Sequence, residues 1–439
     1  MPLRVCRWRA LTAAVGVTLT AAMASCASEG ADGGYARLTG AHLEVLAAWT
    51  GVEQARFAEV LRGFTARTGA IVTYTSARHD VPEALDTRIA AGDPPDVALL
   101  PQPGLLHRYA GAGRLVPLDS ETAGLVRRDY SSVWQALASS GGRPYGVWFK
   151  AANKSLLWYN LAAFERVGIA PPGDLGSLLE AERTIRVGGV APFSVGGGDQ
   201  WTITDWFENL YLQLAGPRDY DRLAAHRIPW TDQSVESTLR LMAQVLAPHF
   251  LRGGVTTTLR TGFEDSVAEA FGAPAGAAMV CEGDFVASVV SSRTRARIGV
   301  DVDAAPFPAA RPGVPGVVGG GDVAVQLRRS NAAAELMRYL ADPAGAAIWA
   351  AHGGFISPNQ SLDLAVYPDA LTRSIARRLI EAGDGFRFDL SDLQPAAFGS
   401  TPGAGMQAAL REFLVTRDVP ATARRLERAA AAAYAARPR

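Results

Sequence analysis

The chain predicts an α/β fold in which mainly parallel sheets are flanked by helices. Short apolar runs alternate with helix-period segments over residues 43–112, the order that builds βαβ units with right-handed crossovers. Turn-forming clusters such as Gly92-Asp-Pro-Pro separate the segments. At 439 residues, with no internal repeat, the chain suffices for two or three ordinary domains or for a single large two-lobed domain.

The elements follow in order. Leu43–Ala48 suits a buried strand. Thr50-Gly-Val-Glu53 has capping-box spacing. Phe57, Val60, Leu61 and Phe64 then form one apolar helix face, with Gly69 at the exit. Ala70–Thr75 and Asp96–Leu100 read as further strands, with helical segments at 81–91 and 104–112. Tyr145–Phe149 and Leu156–Tyr159 read as strands around the polar piece Lys150–Ser155. Helices are expected at 161–167, 174–187, 205–214 and 234–247, and strands at 277–281, 298–302 and 322–327, after a Pro/Gly-rich loop from 306 to 321. Ser330 precedes a helix with Ala333, Leu336, Met337 and Leu340 on one face. Asp342-Pro343 opens another, a polar cap followed by proline at the first helical position. The last hundred residues read as mostly helical.

Arg4, Arg7 and Arg9 precede an apolar run, Ala10–Ala24, that ends in small residues. This pattern predicts a secretory signal peptide over 1–25, and the run is short for a membrane span. Met23-Ala-Ser-Cys26 resembles the lipobox of bacterial lipoproteins, which implies that Cys26 becomes the first, lipid-bearing residue of the mature protein. Residues 26–41, rich in Gly, Ala, Ser and Asp, then read as a flexible tether. The expected location is the outer face of the cell membrane. The alternative is a plain secreted protein in which Cys26 is incidental.

Charge is balanced, with 43 basic and 43 acidic residues; the leader holds three of the arginines and no acid, leaving the remainder at −3. There is no basic surplus for nucleic acid. Lys150 and Lys154 are the only lysines. With Cys6 in the leader and Cys26 acylated, Cys281 stands alone, so no disulfide framework is expected. The six histidines lie singly, and neither a metal site nor a cofactor is expected.

Eight motifs in order carry a family resemblance. They are Trp49-Thr-Gly-Val-Glu-Gln, Ala91-Gly-Asp-Pro-Pro-Asp-Val, Gly113-Arg-Leu-Val-Pro-Leu, Tyr145-Gly-Val-Trp-Phe-Lys, Leu157-Trp-Tyr-Asn160, Asp205-Trp-Phe-Glu-Asn-Leu-Tyr211, Cys281-Glu-Gly-Asp-Phe285 and Gly319-Gly-Gly-Asp322. Together they resemble the carbohydrate-binding solute-binding proteins of ABC importers, most closely those for α-glucosides. Cys281 departs from the pattern, which has an aromatic or other apolar residue there. The resemblance implies a two-lobed periplasmic-binding-protein-like fold with crossing hinge strands. It implies a first lobe from 42–150 and 304–345, a second from 151–303, and a C-terminal helical region of the second lobe from 346–439. It also implies a monomer that binds a sugar, alters nothing chemically and meets permease subunits.

A sugar offers apolar C–H faces, which suit aromatic rings, and hydroxyls, which suit carboxylates and amides. Six of the nine tryptophans lie between 134 and 230. The ligand candidates are Trp49, Glu53, Gln102, Trp148, Lys150, Trp201, Asp205, Trp206, Glu208, Glu282, Asp322 and Phe355, with Asn209 beside them. On the helix from Asp205, an apolar stripe of Phe207, Leu210, Tyr211 and Leu214 opposes Asp205, Glu208 and Asn209. Thr202 and Asp205 have capping spacing, and Asp284 reads as a helix cap. The alternative functions are an extracellular glycoside hydrolase using two of these carboxylates and a non-transporting surface lipoprotein.

Overall fold

A computed structural model describes residues 34–77, 80–310 and 316–436. The leader, Cys26 and most of the tether lie outside them. The far end of the expected tether is already anchored. Leu38 N donates to Thr68 O at 2.7 Å and Ile71 N to Ala41 O at 2.9 Å.

The first sheet has six strands. His42–Ala47 lies between Ile71–Ser76 and Val97–Leu100 and is parallel to both. Val45, Leu46, Val97 and Leu99 are all buried, as expected for strands covered on both faces. The long strand Val317–Gln326 completes the sheet. Its second half runs antiparallel to Val97–Leu100 and its first half parallel to Phe386–Phe388. Its other edge pairs antiparallel with Gly146–Asn153. The glycines expected in a loop are therefore inside this strand. A Cβ at Gly319 or Gly321 would collide with the carbonyl oxygens of Ala152 and Lys150, so only glycine permits this approach.

The second sheet is ordered Val302–Pro306, Leu156–Asn160, Ala277–Cys281, Ala191–Phe193. Only the last pair is parallel. The expectation of mainly parallel sheets is therefore corrected to mixed sheets flanked by helices. The cause is the way the chain crosses: Gly146–Asn153 passes through two residues, Lys154 and Ser155, directly into Leu156–Asn160 of the other sheet. A strand entering without a helical crossover need not run parallel to its neighbours. Val302–Pro306 likewise leads back to Val317–Gln326.

Two further boundaries shift. Residues 346–388, assigned from sequence to the second lobe, pack with the first sheet instead. The helix Pro343–Ala350 lies on Gly51–Thr68, and Phe386–Phe388 joins the sheet. The helices Gly405–Thr416 and Val419–Ala435 pack against each other and against the helices Trp201–Ala224 and Gln233–Val245. The helix expected from Asp205 spans Trp201–Ala224, with a break in helical geometry at Gly216 (φ 79°) before Pro217. It is buried on nearly every side from Thr202 to Gln213, so its polar residues face protein and not solvent.

Local capping is confirmed where the side chain is free to turn back. Ser330 accepts from Ala333 N, and Asp342 accepts from Ala344 N with Pro343 following. Gly69 ends its helix at φ 79°. At Thr50 no side-chain cap forms, and the Glu53 side chain pairs with Lys150.

One buried acid serves none of these purposes. Glu182 lies on the inward face of Leu175–Val187 with Leu178 and Ile185, is fully buried, and has no hydrogen-bond partner on either carboxylate oxygen. Burial pushes its pKa up to about 9. The folded state therefore holds this proton more tightly than the unfolded chain, and stability falls as pH rises from about 4 to 9. Glu182→Gln should stabilise the protein by about 1–3 kcal/mol. Thermal denaturation should show a larger gain at pH 8 than at pH 5.

Candidate functional site

The candidate site is organised by the strand that crosses between the lobes. Lys150 lies within the strand Gly146–Asn153, and Lys154 is the first residue after it, at the crossing itself. Each gathers acids and rings about it.

Lys150 makes an ion pair with Glu53 at the start of the first helix. It lies 5.8 Å from the Trp49 ring centroid and 5.4 Å from that of Trp349. Asp322 faces it in register on the neighbouring strand, where a bulge follows. Burial opposes the Lys150 charge, but Glu53 and Asp322 outweigh it and hold its pKa above the ordinary value. Burial pushes Asp322 and Asp284 up to about 6 against the pull of Lys150.

Lys154 lies 3.2 Å from Asp205 Oδ1 and pairs with Asp389. Its Nζ is 5.5 Å from the centroid of Trp201. Burial disfavours the Asp389 charge, yet Lys154 and a hydrogen bond from Glu208 pull its pKa down to about 2. Asp205 is pushed up to about 7 by burial, which Lys154 only partly offsets. Glu208, Glu282 and Asp392 are raised by burial and by their acidic neighbours. Gln102 from the first lobe donates to Asp392 at 2.6 Å. Carboxylate oxygens of Asp205, Glu208 and Asp389 lie within 4.8 Å of one another, the spacing of a metal site. The cation among them is the Lys154 ammonium, and Glu208 accepts from Leu390 N and Ser391 N at 2.7 and 3.1 Å. This donor set is occupied by the protein itself.

The loops that carry these groups are fixed locally. Trp158 Nε1 donates to Gly283 O at 3.0 Å, and Asp284 Oδ1 accepts from Asn153 N at 2.7 Å. Asp284 thus ties its loop to the crossing strand and does not cap a helix. Asn209 accepts from Ser155 Oγ at 2.5 Å and donates to Lys154 O at 3.1 Å, while Ser155 Oγ accepts from Val318 N at 2.8 Å. These bonds join both crossing strands to the long helix. At Gly196 and Gly198 a Cβ would fall 2.6 Å from Phe263 Cα and 2.8 Å from Thr261 O. The glycine run therefore admits the segment that brings Phe263 beside Trp201.

Trp201, Phe263 and Phe285 form a half-buried cluster, with centroids 5.2, 5.9 and 5.3 Å apart. Other sequence candidates lie elsewhere. Trp148 packs on Trp134 and Phe388, Trp206 on Phe193 and Phe307, and Phe355 on Trp349 and Phe149. All three are fully buried and fill the cores. Trp49 is also buried, edge-on to Phe57 and Trp349, and touches the site only through Lys150 and Asp322. Glu208 holds the segment at Leu390, and Asn209 holds the crossing. Asp389, Asp392, Trp349, Phe263 and Lys154 were absent from the sequence candidates. The paired acids in Phe388-Asp-Leu-Ser-Asp392 were a visible signal, though more than 180 residues from Asp205. Phe263 had none.

The two lobes, the crossing strands and the polar seam define a binding protein of the solute-receptor type. Residues 48–347 match the bacterial extracellular solute-binding proteins, and the chain belongs to that family. It is 33% identical over 387 residues to the osmoprotective compounds-binding protein of Synechocystis sp., covering 86% of this chain and 90% of that one. It is 30% identical to the alpha-glucosides-binding periplasmic protein of Rhizobium meliloti, covering 83% and 82%. The bacterial solute receptor AcbH shares the fold at TM-score 0.74 and 18% identity, over 91% of this chain and 98% of that one. These relatives are binding proteins, and the hydrolase alternative is set aside.

Lys154 is the test of this seam. Removing one partner of a buried ion pair strands the other charge at about 3–5 kcal/mol. Lys154→Met should therefore lower stability by about that amount at pH 8. The loss should be smaller at pH 5, where the freed carboxylates can protonate; equal losses at both values would contradict the assignment.

Proposed function

We propose that the protein is a lipid-anchored receptor that captures a neutral or substituted α-glucoside between its lobes and delivers it to an ABC permease. The observation that carries the reading is the placement of buried carboxylates beside the Trp201–Phe263–Phe285 rings, at the seam between two lobes. The 30% identity to a protein named for alpha-glucosides supports the ligand class. Trp201, Asp205 and Glu282 would contact the sugar from the second lobe, and Gln102, Glu53 and Asp322 from the first. Asp205 and Glu282 are buried, so a ligand reaches them only when the lobes part. A ligand touching both lobes favours the closed state, which gives a permease a means of telling loaded receptor from empty.

Thermal shift against mono- and oligosaccharides tests the ligand class. Binding to the native state alone stabilises by about 2.7 kcal/mol at a hundredfold excess over Kd, and small-angle scattering should show a smaller radius with ligand. Trp201→Ala should weaken binding at least about tenfold while the protein stays folded. Trp206→Ala should instead unfold the second lobe, at about 3–5 kcal/mol. Binding by Trp201→Ala equal to wild type would remove the ring cluster from the site.

The anchor is tested separately. A lipid chain binds membrane through about 0.8 kcal/mol for each buried CH₂. Cys26→Ala should move the protein from the membrane to the soluble fraction or block its processing. Unchanged fractionation would refute lipidation at Cys26.

A further inference from the structure

Charges around Lys154 do not balance. Asp205, Glu208, Glu282, Asp389 and Asp392 surround one ammonium. Asp389 takes that ammonium, Glu208 accepts two backbone N–H groups, and Asp392 accepts from Gln102. Asp205 Oδ1 also faces Lys154. Two oxygens remain without a donor, Asp205 Oδ2 and Glu282 Oε2, on side chains only 1% and 3% exposed. The two carboxyls lie against each other, so only a shared proton or an added donor satisfies both.

A separate observation lies on the same side. Trp201 stands one turn before Asp205 on the same helix, Phe285 three residues after Glu282, and Phe263 completes a half-buried aromatic corner. The Trp201 face already accommodates one cation, the Lys154 ammonium. Ring faces beside uncompensated carboxylates are the chemistry that receives an organic ammonium.

We propose that this end of the cleft selects an amino-substituted glucoside over its neutral counterpart, the ligand ammonium replacing the proton shared by Asp205 and Glu282. The inference rests on the glucoside reading above and narrows it. A hydroxyl supplies one donor at this place, whereas an ammonium supplies three and the missing charge. The displaced proton passes to solvent, so the bound complex keeps the same net charge as the free site. Burial and the surrounding acids raise both carboxyls above the ordinary carboxylate range, which keeps a proton on the pair in the free site. The groups facing the pair are Lys154, Asp389, Glu208, Asp392 and the Cys281 thiol, and of these only Lys154 is a cation.

Calorimetry on the full chain at pH 7 would compare matched pairs: glucose with glucosamine, methyl α-glucoside with its 2-amino-2-deoxy form, and α,α-trehalose with its 2-amino-2-deoxy form. Each titration is run in phosphate and in Mops, whose ionisation heats differ. For at least one pair the amino member should bind about tenfold tighter or more, with about one proton released per site. Glu282→Gln should erase most of that preference. Equal or weaker binding of every amino member, no proton release, or a preference that survives Glu282→Gln would overturn the inference while leaving the glucoside reading intact. Failure of every pair and of a wider neutral glycan panel would overturn both. Stabilisation by Ca²⁺ or Mn²⁺ that is lost in Glu282→Gln would assign the acids to a metal and overturn the amino preference.

Discussion

A single ammonium, that of Lys154, holds together three segments of the chain that meet nowhere else in sequence. Asp205 comes from the long helix of the second lobe, Asp389 from the returning C-terminal segment, and Lys154 from the strand that crosses between the sheets. Taking these groups out of water carries a penalty of several kcal/mol per ion. Asp389 and one oxygen of Asp205 face the ammonium, Glu208 and Asp392 find backbone and amide donors, and Asp205 Oδ2 and Glu282 Oε2 are left without one. Were Lys154 lost, several carboxylates would be left without the cation they face.

The same strand explains why the fold and the site coincide. Gly146–Asn153 pairs with Gly319–Val325 of the long strand, and two residues later the chain is in the other sheet. The lobes are thus joined through backbone whose hydrogen bonds continue up to the crossing. Ser155, Asn209 and Val318 then brace the crossing itself. Hinge rotation in two-lobed architectures is absorbed by a few connecting residues of this kind.

The helix Trp201–Ala224 shows where pattern and structure diverge. Its apolar stripe is legible in the sequence, but a polar face is ordinarily solvated, and here it is buried against the crossing segments. Asp205, Glu208 and Asn209 therefore look alike in sequence and do three different things: Asp205 faces Lys154, Glu208 accepts the N–H groups of Leu390 and Ser391, and Asn209 ties down Ser155. Tryptophans show the converse. Their concentration between 134 and 230 suggested ring platforms, yet Trp148 and Trp206 proved to be core, since large aromatic area gains most from full burial. Trp201, at a helix start behind close-packed glycines, is left half-buried beside Phe263 and Phe285.

Local signals alone determined much of the chain. Helix faces, the Ser330 and Asp342 caps, the Gly69 exit and the strand at Ala277–Cys281 depend on neighbours within a few residues, and periodicity encodes those directly. The order of eight motifs was enough to place the chain among the solute-binding proteins. Tertiary structure decided strand direction, because a strand's orientation depends on where the chain crosses and not on its own composition. It also decided the partners of Lys154. Asp389 lies 235 residues away in sequence, and nothing periodic links two side chains that meet only after both lobes have folded.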